Sequence, residues 1–218
     1  MPSSAIPEQM SEPAARSQPR LTRRGVGAVM LSLVGLAVIG WGLFAWITPH
    51  PYSGTVLQAP AAAPSMDGLF LDDGTPLDLA MFDGELLLVY FGYMSCPDIC
   101  PTTLSLVAAA RRSLGENAGN VKLLMISVDP ERDTLDALGE YVRSFDPTFR
   151  AATGDLDALE RVAAQYGIFF GRGEELGDEY SVDHTATLMG IDTEGHLRIV
   201  WPAALDLDRL VADIRELQ

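Results

Sequence analysis

The sequence predicts an α/β protein with a mixed central sheet flanked by helices, together with one N-terminal transmembrane helix. Near-continuous apolar runs typical of buried strands alternate with amphipathic helical segments, and the pattern closes with a hairpin and a helix. A further observation predicts the transmembrane helix. Residues 25–47 contain no charged side chain and are long enough to span a bilayer core of roughly 30 Å.

The composition divides the 218 residues into four parts. Residues 1–24 form a cytoplasmic tail rich in Pro, Ser and Ala, and residues 25–47 form the anchor. Residues 48–65, rich in Pro and Ala, form a linker. Residues 66–218 form the folded domain, which is long enough to bury a substantial core.

The distribution of charge predicts the orientation of the anchor. Arginines precede it at four positions, 16, 20, 23 and 24, and the next basic residue is Arg111. By the positive-inside rule this is a single-pass protein of the inner membrane, with a cytoplasmic N-terminus and a soluble domain on the outer, periplasmic side. The alternative is a cleaved export signal, for which residues 59–64 offer small side chains. Either way the domain is exported, where disulfides are permitted.

The net charge of −15 argues against nucleic acid as a partner, because phosphate binding needs clustered Lys and Arg. An acidic surface instead favours a partner with a basic patch.

The first elements of the domain are a hairpin, a strand and a helix. Residues 68–79 predict the hairpin, with its turn at Asp73–Gly74. Residues 85–93 form an apolar run that predicts a strand buried on both faces. Pro101 favours the first turn of a helix, which we expect to extend to Leu114.

A second buried strand follows at residues 121–128. Two helices come next, one over residues 134–145 with a cap at Asp133 and one with a cap at Asp155. Residues 167–171 form a short strand or turn. Residues 184–192 and 197–201 form the two arms of a hairpin, and residues 206–217 form the final helix.

The chain has two cysteines, Cys96 and Cys100, which are separated by three residues and each followed by proline. Proline disfavours the α conformation of the preceding residue, so we expect both cysteines on a stiff loop between strand and helix. Cys100 falls at or next to the helix N-cap. A thiolate there faces unpaired backbone N–H groups and the positive end of the helix dipole, which lower its pKa.

Three kinds of chemistry fit this pair. A structural disulfide is permitted, but a bridge that closes so short a loop contributes little stability. A redox couple fits the strand–thiol–helix layout of thioredoxin-like proteins, although their motif has two residues between the thiols and this chain has three. A soft-metal site fits as well, because thiolates favour Cu(I).

Three segments together resemble the Sco (SenC/PrrC) family of membrane-anchored copper proteins. They are FGYMSCPDICPTTL at residues 91–104, ISVDPERDT at 126–134 and VDHTATLMGID at 182–192. The resemblance implies a thioredoxin-like fold and copper, as Cu(I) or Cu(II), bound by Cys96, Cys100 and His184. It also implies two partners, an upstream copper donor and the cytochrome c oxidase subunit that carries the dinuclear copper site.

The chain has three histidines, His50, His184 and His196. His50 lies between prolines in the linker and His196 follows a glycine in a turn, so we expect both to be solvated. His184 lies at the start of an apolar strand, where a histidine is more often structural than a ligand, and the resemblance identifies it as the third ligand. Two thiolates and an imidazole suit copper, whereas zinc prefers four ligands.

Three aspartates lie close in sequence to these residues. Asp98 either attracts copper or is a solvated turn residue. Asp129, at the end of a buried strand, either has a functional role or shapes the turn, and the pattern favours the turn. Asp183 is a candidate hydrogen-bond partner for the neighbouring imidazole. Strand alternation opposes that role, because adjacent side chains point to opposite faces.

The sequence therefore predicts a membrane-anchored copper chaperone that delivers copper to the dinuclear site during cytochrome c oxidase assembly. The alternative is a thiol–disulfide oxidoreductase in which Cys96 and Cys100 are the redox-active pair and reduce the cysteines of that site. A peroxidase is disfavoured, because Cys96 lacks the threonine and proline that frame a peroxidatic cysteine. Copper or redox sensing for a signalling partner stays open.

Overall fold

The computed structural model describes residues 23–47, 52–176 and 179–218 of the chain. The chain divides into two compact units, residues 1–49 and 50–218. In the first unit, helix α1 covers Arg23–Ile47. Within the described ranges, no helix combines the length and the apolar character needed to cross a membrane. The transmembrane assignment of residues 25–47 stays a prediction from the sequence.

The second unit contains alternating strands and helices. Its strands are β1 (Thr55–Ala62), β2 (Leu69–Leu71), β3 (Leu86–Gly92), β4 (Val121–Ser127), β5 (Arg150–Gly154), β6 (Phe170–Leu176), β7 (Glu179–His184), β8 (Leu188–Ile191) and β9 (His196–Trp201). Its helices are α2 (Ile99–Leu114), α3 (Leu135–Arg143), α4 (Leu156–Gln165) and α5 (Leu207–Leu217), with 3-10 turns at Leu79–Phe82 and Gly115–Asn120. The predicted α/β class is confirmed.

Seven of these strands form one mixed sheet in the order β1-β9-β8-β3-β4-β5-β2. The central strands β3, β4 and β5 run parallel, and the other strands join antiparallel to their neighbours. Parallel strands end at the same edge of a sheet, and Gly92 at the end of β3 pairs with Ser127 at the end of β4. The loop that carries both cysteines starts at this edge.

Strands β3 and β4 form the centre of the core. Every residue of β3 is buried, as are all but one of β4, which confirms the two predicted buried strands. Burying one large apolar side chain stabilises the fold by about 1.5–3 kcal/mol relative to leaving it exposed. Because nearly every residue of the two strands is buried, this pair of strands is a stable base for the adjoining loops. Helix α2 packs against α5, while α3 and α4 pack against β5.

Of the two aspartates predicted as helix caps, Asp155 has this role and Asp133 does not. Asp155 Oδ1 accepts a hydrogen bond from the Ala158 N–H (2.7 Å) at the start of α4, as predicted. Helix α3 is capped instead by Thr134, whose Oγ1 accepts from the Ala137 N–H (3.4 Å). The predicted cap Asp133 is buried. Its Oδ2 accepts hydrogen bonds from the Met94 N–H and the Ser127 hydroxyl, so it does not cap the helix.

Three other segments differ from expectation. Residues 55–62, assigned to the linker, form edge strand β1, where a proline can lie without disrupting a central ladder. The hairpin at residues 68–79 keeps its turn at Gly74 (φ 82°), but its second arm is reduced to one bridge at Pro76. The β6–β7 hairpin is not predicted, because its glycines and charges lack the apolar alternation of a strand.

Candidate metal centre

The two cysteines lie on either side of the start of α2. Cys96 belongs to the loop after β3 and is 8% exposed, while Cys100 is the second residue of the helix and is fully buried. The expectation that Cys100 lies outside the α region is wrong. Pro101 lies in the first turn, where its missing N–H costs no helical hydrogen bond, so the helix begins two residues before it.

His184 completes a group of three donors. It is the last residue of β7, not the first residue of the following strand as predicted from the sequence. Its Nε2 lies 3.6 Å from Cys100 Sγ. The Nε2 atom and the two sulfur atoms all lie within 4.8 Å of one another, so one ion could contact all three after a small shift. Both cysteines are free thiols.

The packing around Cys100 fixes its sulfur atom. A Cβ added at Gly92 would lie 2.9 Å from Cys100 Sγ and 2.8 Å from the Tyr90 ring, so only glycine leaves room for this thiol at the end of β3. The Tyr90 hydroxyl donates a hydrogen bond to Cys100 Sγ (3.6 Å). Gly92 and Tyr90, both in β3, therefore fix the position of the Cys100 sulfur atom by packing and by a hydrogen bond.

The two thiols have opposite electrostatic environments. The pKa of Cys96 is lowered to about 4, chiefly because the Cys100 thiol donates to it, with further help from His184 and backbone N–H groups. The pKa of Cys100 is raised, because its proton is shared with Cys96 and because it is buried. The metal-free pair thus carries one negative charge, held mainly on Cys96.

The helix terminus acts on a different sulfur from the one expected. The sequence analysis assigned the lowered pKa to Cys100, at or beside the N-cap. In the structure the Cys100 N–H, in the first turn of α2, donates to Cys96 Sγ (3.4 Å). A backbone N–H at a helix start stabilises negative charge, so the helix dipole favours the thiolate form of Cys96 in the loop.

Aromatic rings enclose the imidazole of His184. The Tyr93 ring is buried and lies edge-on, with its centroid 5.7 Å from that of His184, and the Tyr90 ring lies 6.3 Å away. Among the described residues, no hydrogen-bond partner reaches the buried Nδ1 of His184. Asp183 is exposed, as strand alternation requires, so it is not the partner of this ring.

Asp133 braces the loop that carries Cys96. Its Oδ2 accepts from the Met94 N–H (3.0 Å) and from Ser127 Oγ (2.6 Å), which joins the loop to the end of β4. The sequence analysis assigned Asp133 only to a cap. It also missed Tyr90, Gly92 and Tyr93, although all except Tyr90 lie within the segments that carry the family resemblance.

The other described acidic and histidine candidates lie outside the group formed by Cys96, Cys100 and His184. Asp98 is exposed and makes no side-chain cap bond, and Asp129 is buried in contact with Arg132 and Tyr180. His196 lies in a second group of donor atoms with Asp192 and Glu194. Asp192 there closes the β8–β9 turn by accepting from the Glu194 and His196 N–H groups. His50 lies outside the described residues.

The fold and the site define a class: an α/β protein with two buried thiols and one half-buried imidazole as a donor set suited to a soft metal ion. The SCO1/SenC family model matches residues 68–218, and the chain belongs to this family. The resemblance recognised in the sequence is thereby confirmed.

Solved structures and curated relatives agree with this assignment. The chain is 34% identical to the mitochondrial protein SCO1 homolog 1 of Arabidopsis thaliana over 170 residues, 74% of this chain and 51% of that protein. A crystal structure of Arabidopsis thaliana ScoI with copper bound is 34% identical with a TM-score of 0.66, covering 72% of this chain and 99% of that one. Solution structures of apo Sco1 from Thermus thermophilus are 33% identical with a TM-score of 0.68, covering 78% and 98%.

These matches confirm the thioredoxin-like α/β fold with its mixed central sheet. The chain spans about half the length of the curated relatives it matches.

Proposed function

We propose that this chain is a copper chaperone that holds copper with Cys96, Cys100 and His184 and delivers it to the dinuclear copper site of cytochrome c oxidase. The observation that carries the proposal is the convergence of two Sγ atoms and one Nε2 atom to within 4.8 Å. Thiolates favour Cu(I), and the imidazole suits Cu(II) as well. The copper-bound structures of ScoI from Arabidopsis thaliana and Bradyrhizobium japonicum support the choice of metal.

The differing exposure of the two sulfurs suits metal transfer by ligand exchange. Cys96 lies at the surface end of the site and Cys100 at the buried end, so an incoming thiolate of the partner meets the Cys96 side first. Three donors leave a coordination position open for that thiolate. Oxidation of the thiolate–thiol pair to a disulfide removes two electrons and the remaining thiol proton, and it leaves no thiolate to bind copper, so it prevents loading.

The proposal includes a position at the membrane and two partners. Residues 25–47 anchor the chain in the inner membrane, and the domain lies on the periplasmic side, as the arginines before residue 25 support. An upstream donor loads the site, and the copper-site subunit of the oxidase receives the cargo. The net charge of −15 supports docking to a basic patch on these partners.

Copper binding by ligand variants tests the proposed site. The reduced full chain in detergent is titrated with copper against a chelator, and the Cu(II) form is examined for sulfur-to-copper charge-transfer bands before and after thiol alkylation. We expect His184→Ala to weaken binding by more than the roughly 10–100-fold that is typical of outer partners. His196→Ala is the matched control and should bind like the wild type. Unchanged affinity of His184→Ala would remove this imidazole from the site.

A thiol–disulfide oxidoreductase is the second candidate, favoured by the low pKa of Cys96 beside the buried Cys100 thiol. The Cys96 thiolate would attack a target disulfide and form a mixed disulfide. Cys100 would then displace the target, leaving a Cys96–Cys100 disulfide and two reduced target thiols. An external thiol reductant would have to restore the pair.

Oxidase assembly in cells that lack their own family member separates the two candidates. Metal delivery requires all three ligands, so His184→Ala and the Cys→Ser variants should all fail to restore assembly. Restoration by His184→Ala, with failure of both Cys→Ser variants, would instead establish disulfide reduction as the function.

A further inference from the structure

The hairpin that carries His184 is not part of the main sheet. Strands β6 and β7 pair only with each other in the described ranges, whereas both cysteines follow β3 in the seven-stranded sheet. The three residues that follow His184 connect it to β8, so the distance between the imidazole and the sulfurs depends on this short connection and on side-chain contacts between the two sheets. The side-chain contacts converge on one cluster, in which Asp129 is buried and Arg132 and Tyr180 are half-buried.

Arg132 is at the centre of this cluster. It lies in the loop after β4, and its side chain is 20% exposed. Its Nε donates to Asp129 Oδ2 (2.5 Å) in the same loop, and its Nη1 donates to the backbone carbonyl of Tyr180 (2.9 Å) in β7. One guanidinium thus joins the edge of the main sheet to the strand that ends at His184.

Tyr180 strengthens the same connection. Its hydroxyl donates to Asp129 Oδ1 (2.7 Å), so Asp129 accepts from both the arginine and the tyrosine. The guanidinium carbons of Arg132 and Arg172 lie 3.8 and 3.9 Å from the centroid of the Tyr180 ring. A cation stacked on a ring at this distance is attracted to it, so Tyr180 is held by its ring, its hydroxyl and its carbonyl together.

The cluster continues to the imidazole itself. The Arg132 guanidinium carbon lies 5.8 Å from the centroid of the Tyr93 ring. That ring packs edge-on against the imidazole of His184, with the two ring planes at 89°. Arg132 therefore contacts the hairpin at Tyr180 and the ring that supports His184.

We propose that Arg132, with Asp129 and Tyr180, is a positioning residue that holds the β6–β7 hairpin so that His184 stays within reach of the two sulfurs. This inference rests on the proposed ligand set. Nothing in it requires Arg132 to touch the metal. It predicts that loss of the guanidinium frees the imidazole while the cysteine loop, which is braced separately by Asp133, remains in place.

The first test observes the imidazole without copper. The full chain is prepared with 13C-labelled histidine, and its three imidazoles are distinguished by the His184→Ala and His196→Ala spectra. In Arg132→Met we expect the His184 ring resonances to move toward those of a free histidine, because the ring loses its fixed position beside Tyr93. The His196 resonances should not move.

Arg112→Met, at an exposed position of α2, is the matched control. Unshifted His184 resonances in Arg132→Met would overturn the inference.

The second test is a double-mutant cycle on copper affinity. We expect Arg132→Met to weaken copper binding about tenfold, as for an outer partner of a ligand, and Arg132→Lys to recover little of it. In a His184→Ala background the same change should have no further effect. An equal loss in that background would show that Arg132 acts elsewhere and would overturn the inference. If His184→Ala alone leaves the affinity unchanged, the ligand set fails, and the imidazole spectra still decide whether Arg132 positions the ring.

Discussion

At Cys96, the Cys100 thiol, the Cys100 N–H and the His184 ring all favour the charged form of one sulfur atom. The cysteine closer to the surface is therefore the thiolate, while its buried neighbour keeps its proton until a metal or a disulfide displaces it. The pair is asymmetric before any ligand arrives. This asymmetry suits both candidate functions, because each needs one nucleophilic sulfur, and Cys96 retains 8% exposure whereas Cys100 has none.

This asymmetry predicts the pH dependence of alkylation. The pKa of Cys96 is lowered to about 4, so its thiolate is present above that pH and is lost as the pH falls through it. We expect iodoacetamide to label Cys96 of the reduced, copper-free chain at pH 6, well below the ordinary thiol pKa of about 8.5. In Cys100→Ala the pKa of Cys96 should rise. Mass spectrometry identifies the labelled residue, and preferential labelling of Cys100 would contradict the assignment.

The residues of the site could be predicted from the sequence only in part. The spacing singles out Cys96 and Cys100, and the family resemblance adds His184, whose position alone favours a structural histidine over a ligand. The sequence could not show which thiol has the lowered pKa, because that depends on which sulfur accepts the hydrogen bond from the Cys100 N–H. That depends on the helix starting two residues before Pro101.

Among the secondary-structure elements, the junction of β3 and α2 shows how strand packing sets ligand geometry. A methyl group at Gly92 would come within 2.9 Å of Cys100 Sγ. We expect Gly92→Ala to displace this sulfur, to lower the free energy of unfolding by about 1–3 kcal/mol and to weaken copper binding. Gly119→Ala is the control, because nothing lies within 4 Å of its added methyl group. Denaturant unfolding and copper titration check both, and equal behaviour of the two variants would contradict the packing argument.

The sequence predicts the elements of the main sheet better than the β6–β7 hairpin. Strands β3 and β4 are continuous apolar runs, and burial on both faces leaves such runs little choice of structure. The β6–β7 hairpin is polar and glycine-rich, and side-chain contacts such as Arg132 to Tyr180 hold it in place across 48 positions of sequence. Local patterns carry no signal for contacts at that separation.

For the whole molecule, the folded unit divides the donor set between two sheets. The rigid main sheet positions both sulfurs, and the small β6–β7 sheet positions the imidazole. Val182 of β7 belongs to the core, and Phe170 and Tyr180 pack against it, so the hairpin is held by core contacts as well as by the Arg132 cluster. Different elements therefore position the sulfurs and the imidazole, and the Arg132 cluster joins these elements.

The location of the full chain is the remaining prediction at this scale. Because residues 25–47 are uncharged and arginines precede them, we expect the expressed chain to stay in the membrane fraction after alkaline carbonate washing. Alkaline phosphatase fused after Gln218 should be active, since that enzyme needs the periplasm to form its disulfides. Deletion of residues 25–47 should abolish both results.

Replacing the four arginines before residue 25 with lysine should preserve the orientation, whereas replacing them with serine should weaken it, because the positive-inside rule depends on positive charge. A mature chain that begins near residues 59–64 would instead establish a cleaved export signal and contradict the retained anchor.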